Sequence, residues 1–177
     1  PPPTTGNIAP TSLLVRARDM EFSGRGQILG TVKTKLDGVV GNSPVEKREM
    51  FIVEGDSAAG TAKRARDRTF QAIYALRGKP LNVMETAQAK VNSNAEAVGL
   101  LAAIGVDLGA KDIAKSLKKM QYGKIISLAD PDVDGKHINV LGLAIVWKYA
   151  PQVVTGGHFY AVIAPLYKCL HKEIGRA

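Results

Sequence analysis

Met50-Phe51-Ile52-Val53-Glu54-Gly55-Asp56 and Lys124-Ile125-Ile126-Ser127-Leu128-Ala129-Asp130 share one pattern: a short, nearly unbroken apolar run that ends in an acid. Such runs suit strands buried on both faces of a parallel sheet. Between and beyond them the chain reads as helix. Ser57 is placed to cap a helix running to about Arg66. Ser93-Asn94-Ala95-Glu96 has capping-box spacing ahead of Val98, Leu100, Leu101 and Ile104, which predicts a helix closed near Gly105. A lysine-rich helix is expected over Asp112–Lys119. From about His137 to Tyr149 the residues are apolar nearly all round, as in a helix buried on several sides, with Pro151 as its stop. A last strand, His158 to Ala164, follows the Gly156-Gly157 break. Strands alternating with helices predict an α/β fold of Rossmann-like type, a mostly parallel sheet flanked by helices and joined by right-handed crossovers. Ligands of such sheets collect at the carboxyl ends of the strands, where Glu54 and Asp130 fall.

Outward from this frame the sequence is less regular. Residues 1–12 carry four of the nine prolines and read as a tail or linker. Residues 13–49 mix charge with glycine and show no sustained period, so they read as a lead-in segment. The 177 residues, 45% of them apolar, suffice for one ordinary core. No apolar run approaches the ~20 residues of a membrane span, and the first residues lack a signal peptide's pattern. The expectation is a soluble protein of the cytoplasm, or of the host cytoplasm if viral. The single cysteine, Cys169, excludes an internal disulfide and a cysteine-rich zinc site.

The net charge is +8, and its placement matters more than its size. Between Thr61 and Lys79 six basic residues face one acid, Asp67, and a second basic cluster comprises Lys115, Lys118, Lys119 and Lys124. A solvated face is the plain reading of such a run. Its position beside the acidic motifs favours DNA phosphates as its partner, with Lys63, Arg64, Arg68, Arg77 and Lys79 as the contacts.

Asp130-Pro131-Asp132-Val133-Asp134-Gly135 places three carboxylates at alternate positions after a buried strand. In an extended segment they project to one side. Together they repel unless a cation neutralises them, and hard oxygen donors suit Mg²⁺, Ca²⁺ or Mn²⁺. A turn would explain any single aspartate, but three in alternation point to an ion. The same letters open an EF-hand loop, yet the twelfth position is Leu141 where a bidentate glutamate is needed. Likewise Gly55 to Gly60 has the glycine spacing of a P-loop, but Thr61-Ala62 follows instead of a lysine and a hydroxyl residue. Calcium sensing and nucleotide hydrolysis at these motifs are therefore excluded. His137 is expected to pack or to hydrogen-bond, not to bind metal.

Glu54-Gly-Asp-Ser-Ala-Ala-Gly60, Leu76-Arg-Gly-Lys-Pro-Leu-Asn-Val83, Ala129-Asp-Pro-Asp-Val-Asp-Gly-Lys-His-Ile138 and Ala164-Pro-Leu-Tyr-Lys168 resemble, in order and spacing, four motifs of the TOPRIM region of type IIA DNA topoisomerases of the gyrase B kind. The resemblance covers about Met50 to Lys168, with residues 50–168 as the TOPRIM domain and 169–177 as the start of a C-terminal extension. It implies an enzyme in which Glu54, Asp130 and Asp132 hold Mg²⁺, with Asp134 assisting and with Mn²⁺ or Ca²⁺ as substitutes. It further implies transesterification on double-stranded DNA: a tyrosine of a partner breakage-reunion subunit attacks a phosphodiester, leaving a 5′-phosphotyrosyl link and a free 3′-hydroxyl. Glu54 is either a metal ligand or the general acid or base of re-ligation. Tyr167 falls in a scaffold motif. ATP belongs only to the complete enzyme, because the 53 residues before Glu54 are too few for an ATPase module; that module lies on another chain or in a missing segment. The chain is thus one part of a topoisomerase and not self-sufficient. Two other readings stand beside it: a different TOPRIM enzyme such as a nuclease or primase, and a non-catalytic basic DNA-binding module. Ala59, Pro131 and Lys136 depart from the family's usual residues, and Lys136 adds a cation beside the acids.

Overall fold

The computed structural model describes residues 35–78, 80–106, 119–130 and 132–163. In chain order these form strand β1 (Leu36–Asp37), strand β2 (Glu49–Glu54), helix α1 (Gly55–Ala65), strand β3 (Gln71–Leu76) and short helix α2 (Gln88–Asn92). Helix α3 (Ala95–Ile104), strand β4 (Lys124–Leu128), helix α4 (Val133–Tyr149), short helix α5 (Pro151–Thr155) and strand β5 (Phe159–Ala161) follow. The strands make one sheet in the order β1-β3-β2-β4-β5. β1 runs antiparallel to β3, and the other neighbours are parallel. The expected mostly parallel α/β sheet is thereby observed.

Alternation along the strands sorts the core into two layers. Met50 and Ile52 of β2, with Ala72, Tyr74 and Leu76 of β3 and Ile125 of β4, face the larger cluster, where Leu100, Leu101 and Ile104 of α3 meet Ile138, Ile145 and Val146 of α4. Val53, Ile73 and Ala75 face the other side and pack on Ala59 of α1. β2 and β3 are thus covered on both faces, which is why β2 reads as a continuous apolar run.

Several elements differ in detail from the sequence reading. Ser57 lies inside α1, and Glu54 is the residue at its N-cap, without a side-chain capping bond. Gly55 has φ 71°, so the chain turns into the helix directly after the strand. In α3 the cap is Asn94, whose side chain accepts from the Ala97 N–H; the helix ends at left-handed Gly105, as anticipated. α4 begins at Val133, a turn before the expected start. Pro151 does follow its end, but as the first residue of α5. β3 was not anticipated. β5 is confined to Phe159–Ala161. The lysine-rich helix expected at Asp112–Lys119 and the motif Ala164–Lys168, including Tyr167, lie outside the described residues, apart from Lys119.

Candidate metal centre at the carboxyl rim

Parallel register sets the rim. Val53 of β2 lies beside Leu128 of β4, and Glu54 beside Leu76 of β3. Glu54 therefore ends β2 at the level where β4 gives way to Ala129 and Asp130. Asp132 is the N-cap of α4, its carboxylate accepting the Gly135 N–H at 2.7 Å, and Asp134 lies in the first helical turn. The extended run of three alternating aspartates expected from sequence is therefore broken at Asp132, and the carboxylates wrap around a helix start.

Glu54 is half-buried, whereas Asp130, Asp132 and Asp134 are exposed. Burial raises the Glu54 carboxyl above its ordinary value of 4.5, and the negative charges of Asp132, Asp130 and Asp134 raise it further. Aspartates from one stretch of chain thus act on a glutamate from another across the rim. Among the described residues no three such side chains are gathered into a ready cage for an ion. The donor set nonetheless fits one: hard oxygens only, an excess of negative charge, and a half-buried carboxylate with no ion-pair partner among the described residues.

The predicted DNA contacts are spread out. Arg77, exposed one residue beyond β3, stands at the acidic rim, where its Nε donates to Asp56 at 3.1 Å. Sequence reasoning passed over Asp56, although it lies two residues after Glu54 in the same motif. Lys63 and Arg64 belong to the last turn of α1, roughly 12 Å along the helix from Gly55. Lys63 also faces Asp37 at 3.7 Å. Arg68 lies in the turn before β3, at the amino end of the sheet, so the structure places it on the rim opposite the acids. Lys79 lies outside the described residues. His137 is exposed, so it does not pack in the core as one of its two expected roles required. A cavity of about 420 Å³ lined by Glu46, Tyr122, Gln152 and His158 contains none of the rim acids.

One basic residue of the Thr61–Lys79 run serves the fold. The Arg66 side chain is 2% exposed. Its guanidinium donates to the carbonyls of Asp37 (2.7 Å), Gly38 (3.0 Å) and Gln71 (2.7 Å) and pairs with the Asp37 carboxylate at 2.6 Å.

Residues 49–162 match the family model described as "Toprim domain". The chain belongs to the Toprim domain family. Within that family it is similar to the DNA topoisomerase 4 B subunit of Caulobacter vibrioides, 41% identical over 161 residues, which cover 89% of this chain and 22% of that protein. It is also similar to the DNA topoisomerase 4 B subunit of Pseudomonas aeruginosa (46% over 141 residues; 79% of this chain, 22% of that one). With the DNA gyrase B subunit of Thermus thermophilus the identity is 47% over 124 residues, 70% of this chain and 20% of that protein. The chain spans about a fifth of the length of these relatives.

Proposed function

We propose that this Toprim chain is the magnesium-binding part of a type IIA DNA topoisomerase, supporting cleavage and re-ligation of double-stranded DNA by a tyrosine of a partner subunit. The observation that carries the reading is the parallel register of β2 and β4, which sets Glu54 at the rim where Asp130, Asp132 and Asp134 follow, near enough for their charges to raise its carboxyl. Four like charges brought together by two separate elements destabilise the fold unless a cation offsets them. Relatives named as gyrase and topoisomerase 4 B subunits share most of this chain.

In this reading Glu54, Asp130 and Asp132 hold Mg²⁺, Asp134 assists, and Mn²⁺ or Ca²⁺ substitutes. When bound, the cation polarises the phosphoryl oxygens and stabilises the departing 3′-oxygen. The chain's own residues do the placing. Asp132 is fixed by its bond to the Gly135 N–H, and Glu54 is held at the end of a strand paired on both sides. Because the ligands must be ionised, the raised Glu54 carboxyl makes metal binding weaken as pH falls. Arg77, with Lys63, Arg64 and Lys79, contacts DNA phosphates, which position the duplex without reading its bases, and Arg68 joins them only where the duplex also follows α1 to the opposite rim. The nucleophile and the ATPase module lie elsewhere in the complex, which works in the cytoplasm. Among the described residues no helix is long and apolar enough to cross a membrane.

The test is to combine the full-length protein with its tyrosine-bearing subunit and DNA and to measure Mg²⁺-dependent covalent protein–DNA complexes. Asp132→Ala and Glu54→Ala are each expected to lower their rate of formation by about 100-fold or more, while circular dichroism shows an intact fold. Undiminished complexes in both variants would leave only a basic DNA-binding module. DNA cleavage by this chain without a partner would make it a nuclease of another Toprim class.

A further inference from the structure

Gly135 is the third residue of α4, a position where alanine favours the helix by about 0.5–1 kcal/mol over glycine. Its φ is not positive, so the backbone conformation does not require glycine. The neighbourhood does. A Cβ at Gly135 would lie 2.1 Å from the Asp130 carbonyl oxygen, 2.9 Å from the Asp130 nitrogen and 3.0 Å from the Asp130 carbonyl carbon. All three are backbone atoms, and no flexible side-chain end can swing aside. Gly135 is buried, and its own N–H donates to Asp132 Oδ1 at 2.7 Å. One residue therefore touches two of the three aspartates: through its missing side chain it lets the Asp130 backbone close onto the first turn of α4, and through its N–H it orients the Asp132 carboxylate.

We propose that Gly135 is a positioning residue for the acidic site: the absence of a side chain there sets the separation of Asp130 from Asp132 and so brings both to Glu54. The proposal rests on the metal-site reading above. Replacement by alanine keeps the N–H and the helix but forces the Asp130 backbone outward by roughly 1 Å to restore ordinary van der Waals distance. Asp132, held by its capping bond, stays with the helix. The metal then loses its ligand geometry without losing any ligand.

Gly142 supplies the control. It is buried in the same helix, yet a Cβ there meets no atom within 4 Å. Gly135→Ala and Gly142→Ala make the same chemical change seven residues apart, and only the first disturbs an aspartate.

Two quantities are read on the full-length protein: Mn²⁺ affinity without DNA, by electron paramagnetic resonance, and the Mg²⁺ concentration for half-maximal covalent DNA complex with the partner subunit. Gly135→Ala is expected to weaken both by about 10–100-fold, the range for groups that orient metal ligands. Saturating Mg²⁺ should recover much of the cleavage, whereas Asp132→Ala should not recover. Gly142→Ala should leave both quantities unchanged. Wild-type Mn²⁺ affinity in Gly135→Ala, with Asp132→Ala defective, would overturn the inference and leave the metal site standing. Wild-type behaviour in Asp132→Ala as well would remove both. If Gly135→Ala proves unfolded by circular dichroism even at 10 °C with saturating Mg²⁺, the glycine serves the fold alone and the inference fails.

Discussion

Tyr74 is wholly buried in the middle of β3, and among the described residues its hydroxyl has no hydrogen-bond partner. Burial, and then the negative charge of Glu96, push its ionisation far above the ordinary tyrosine value, so the ring stays neutral at every working pH. A buried hydroxyl without a partner has given up water for nothing, which costs about 1–3 kcal/mol. Tyr74→Phe is therefore expected to leave stability unchanged or to raise it by up to ~1 kcal/mol, read as a shift in the midpoint of a urea titration. A loss of 1 kcal/mol or more would mean that the hydroxyl is bonded after all, with Glu96 Oε2, which has no partner among the described residues, as the acceptor to examine. Residues at this scale differ in how far the sequence reveals them. Glu54 and the three aspartates were legible because acids directly after apolar runs serve no core. Arg66 was not, because its acceptors are main-chain carbonyls up to 29 residues away, and a carbonyl leaves no mark on the sequence. Gly135 could be quoted as part of a motif, but the close approach that demands glycine arises only when α4 folds back on Asp130.

Strands β3, β2 and β4 are tied at their amino ends by one carboxylate. Glu49 accepts from Gln71 at 2.9 Å and from Lys124 at 3.0 Å, and its backbone pairs with both residues. Burial pushes the Glu49 carboxyl up, but the bonds from Gln71 and Lys124 outweigh it and hold the group below 4.5. A carboxyl lower in the folded than in the unfolded chain adds stability above its unfolded value and loses it as pH falls through the folded one. Wild type should accordingly exceed Glu49→Gln in thermal midpoint at neutral pH, and the gap should close between about pH 5 and 3. A gap that persists in acid would assign the effect to packing. The elements around this tie show what limits sequence reading. β2 and β4 were legible because four apolar residues run together in β2 and four of five, broken by Ser127 alone, at β4. Gln71-Ala-Ile-Tyr-Ala-Leu76 was missed, since a glutamine and two alanines dilute the strand signal, although five of the six residues are buried. The start of α4 was read a turn late because Pro131 and Gly135 mark turns, whereas the Gly135 N–H is the donor to the capping Asp132.

Across the molecule, the two rims of the sheet carry different charged groups. The four acids and Arg77 occupy the carboxyl rim, and Arg68 the amino rim, roughly 17 Å away along the six residues of β2. Composition revealed the basic surplus, but it could not show which rim each cation joins, because that depends on where the chain reverses after α1. The reversal sends Arg68 back with the helix and returns Arg77 with β3. In the proposed topoisomerase a duplex held at the acids would lie within reach of Arg77, which would have to leave Asp56 to bind a phosphate; the exchange is cheap because an exposed pair of this kind contributes only about 0–1 kcal/mol. Arg77→Ala in the assembled complex is expected to weaken DNA binding and to lower the slope of log affinity against log salt by about one. Asp56→Asn should tighten binding slightly by freeing the guanidinium. Arg68→Ala should change neither affinity nor slope if the duplex keeps to the acidic rim. Equal losses for Arg68→Ala and Arg77→Ala would instead route the DNA along α1, past Lys63 and Arg64, and the salt dependence of these two single variants decides between the two paths.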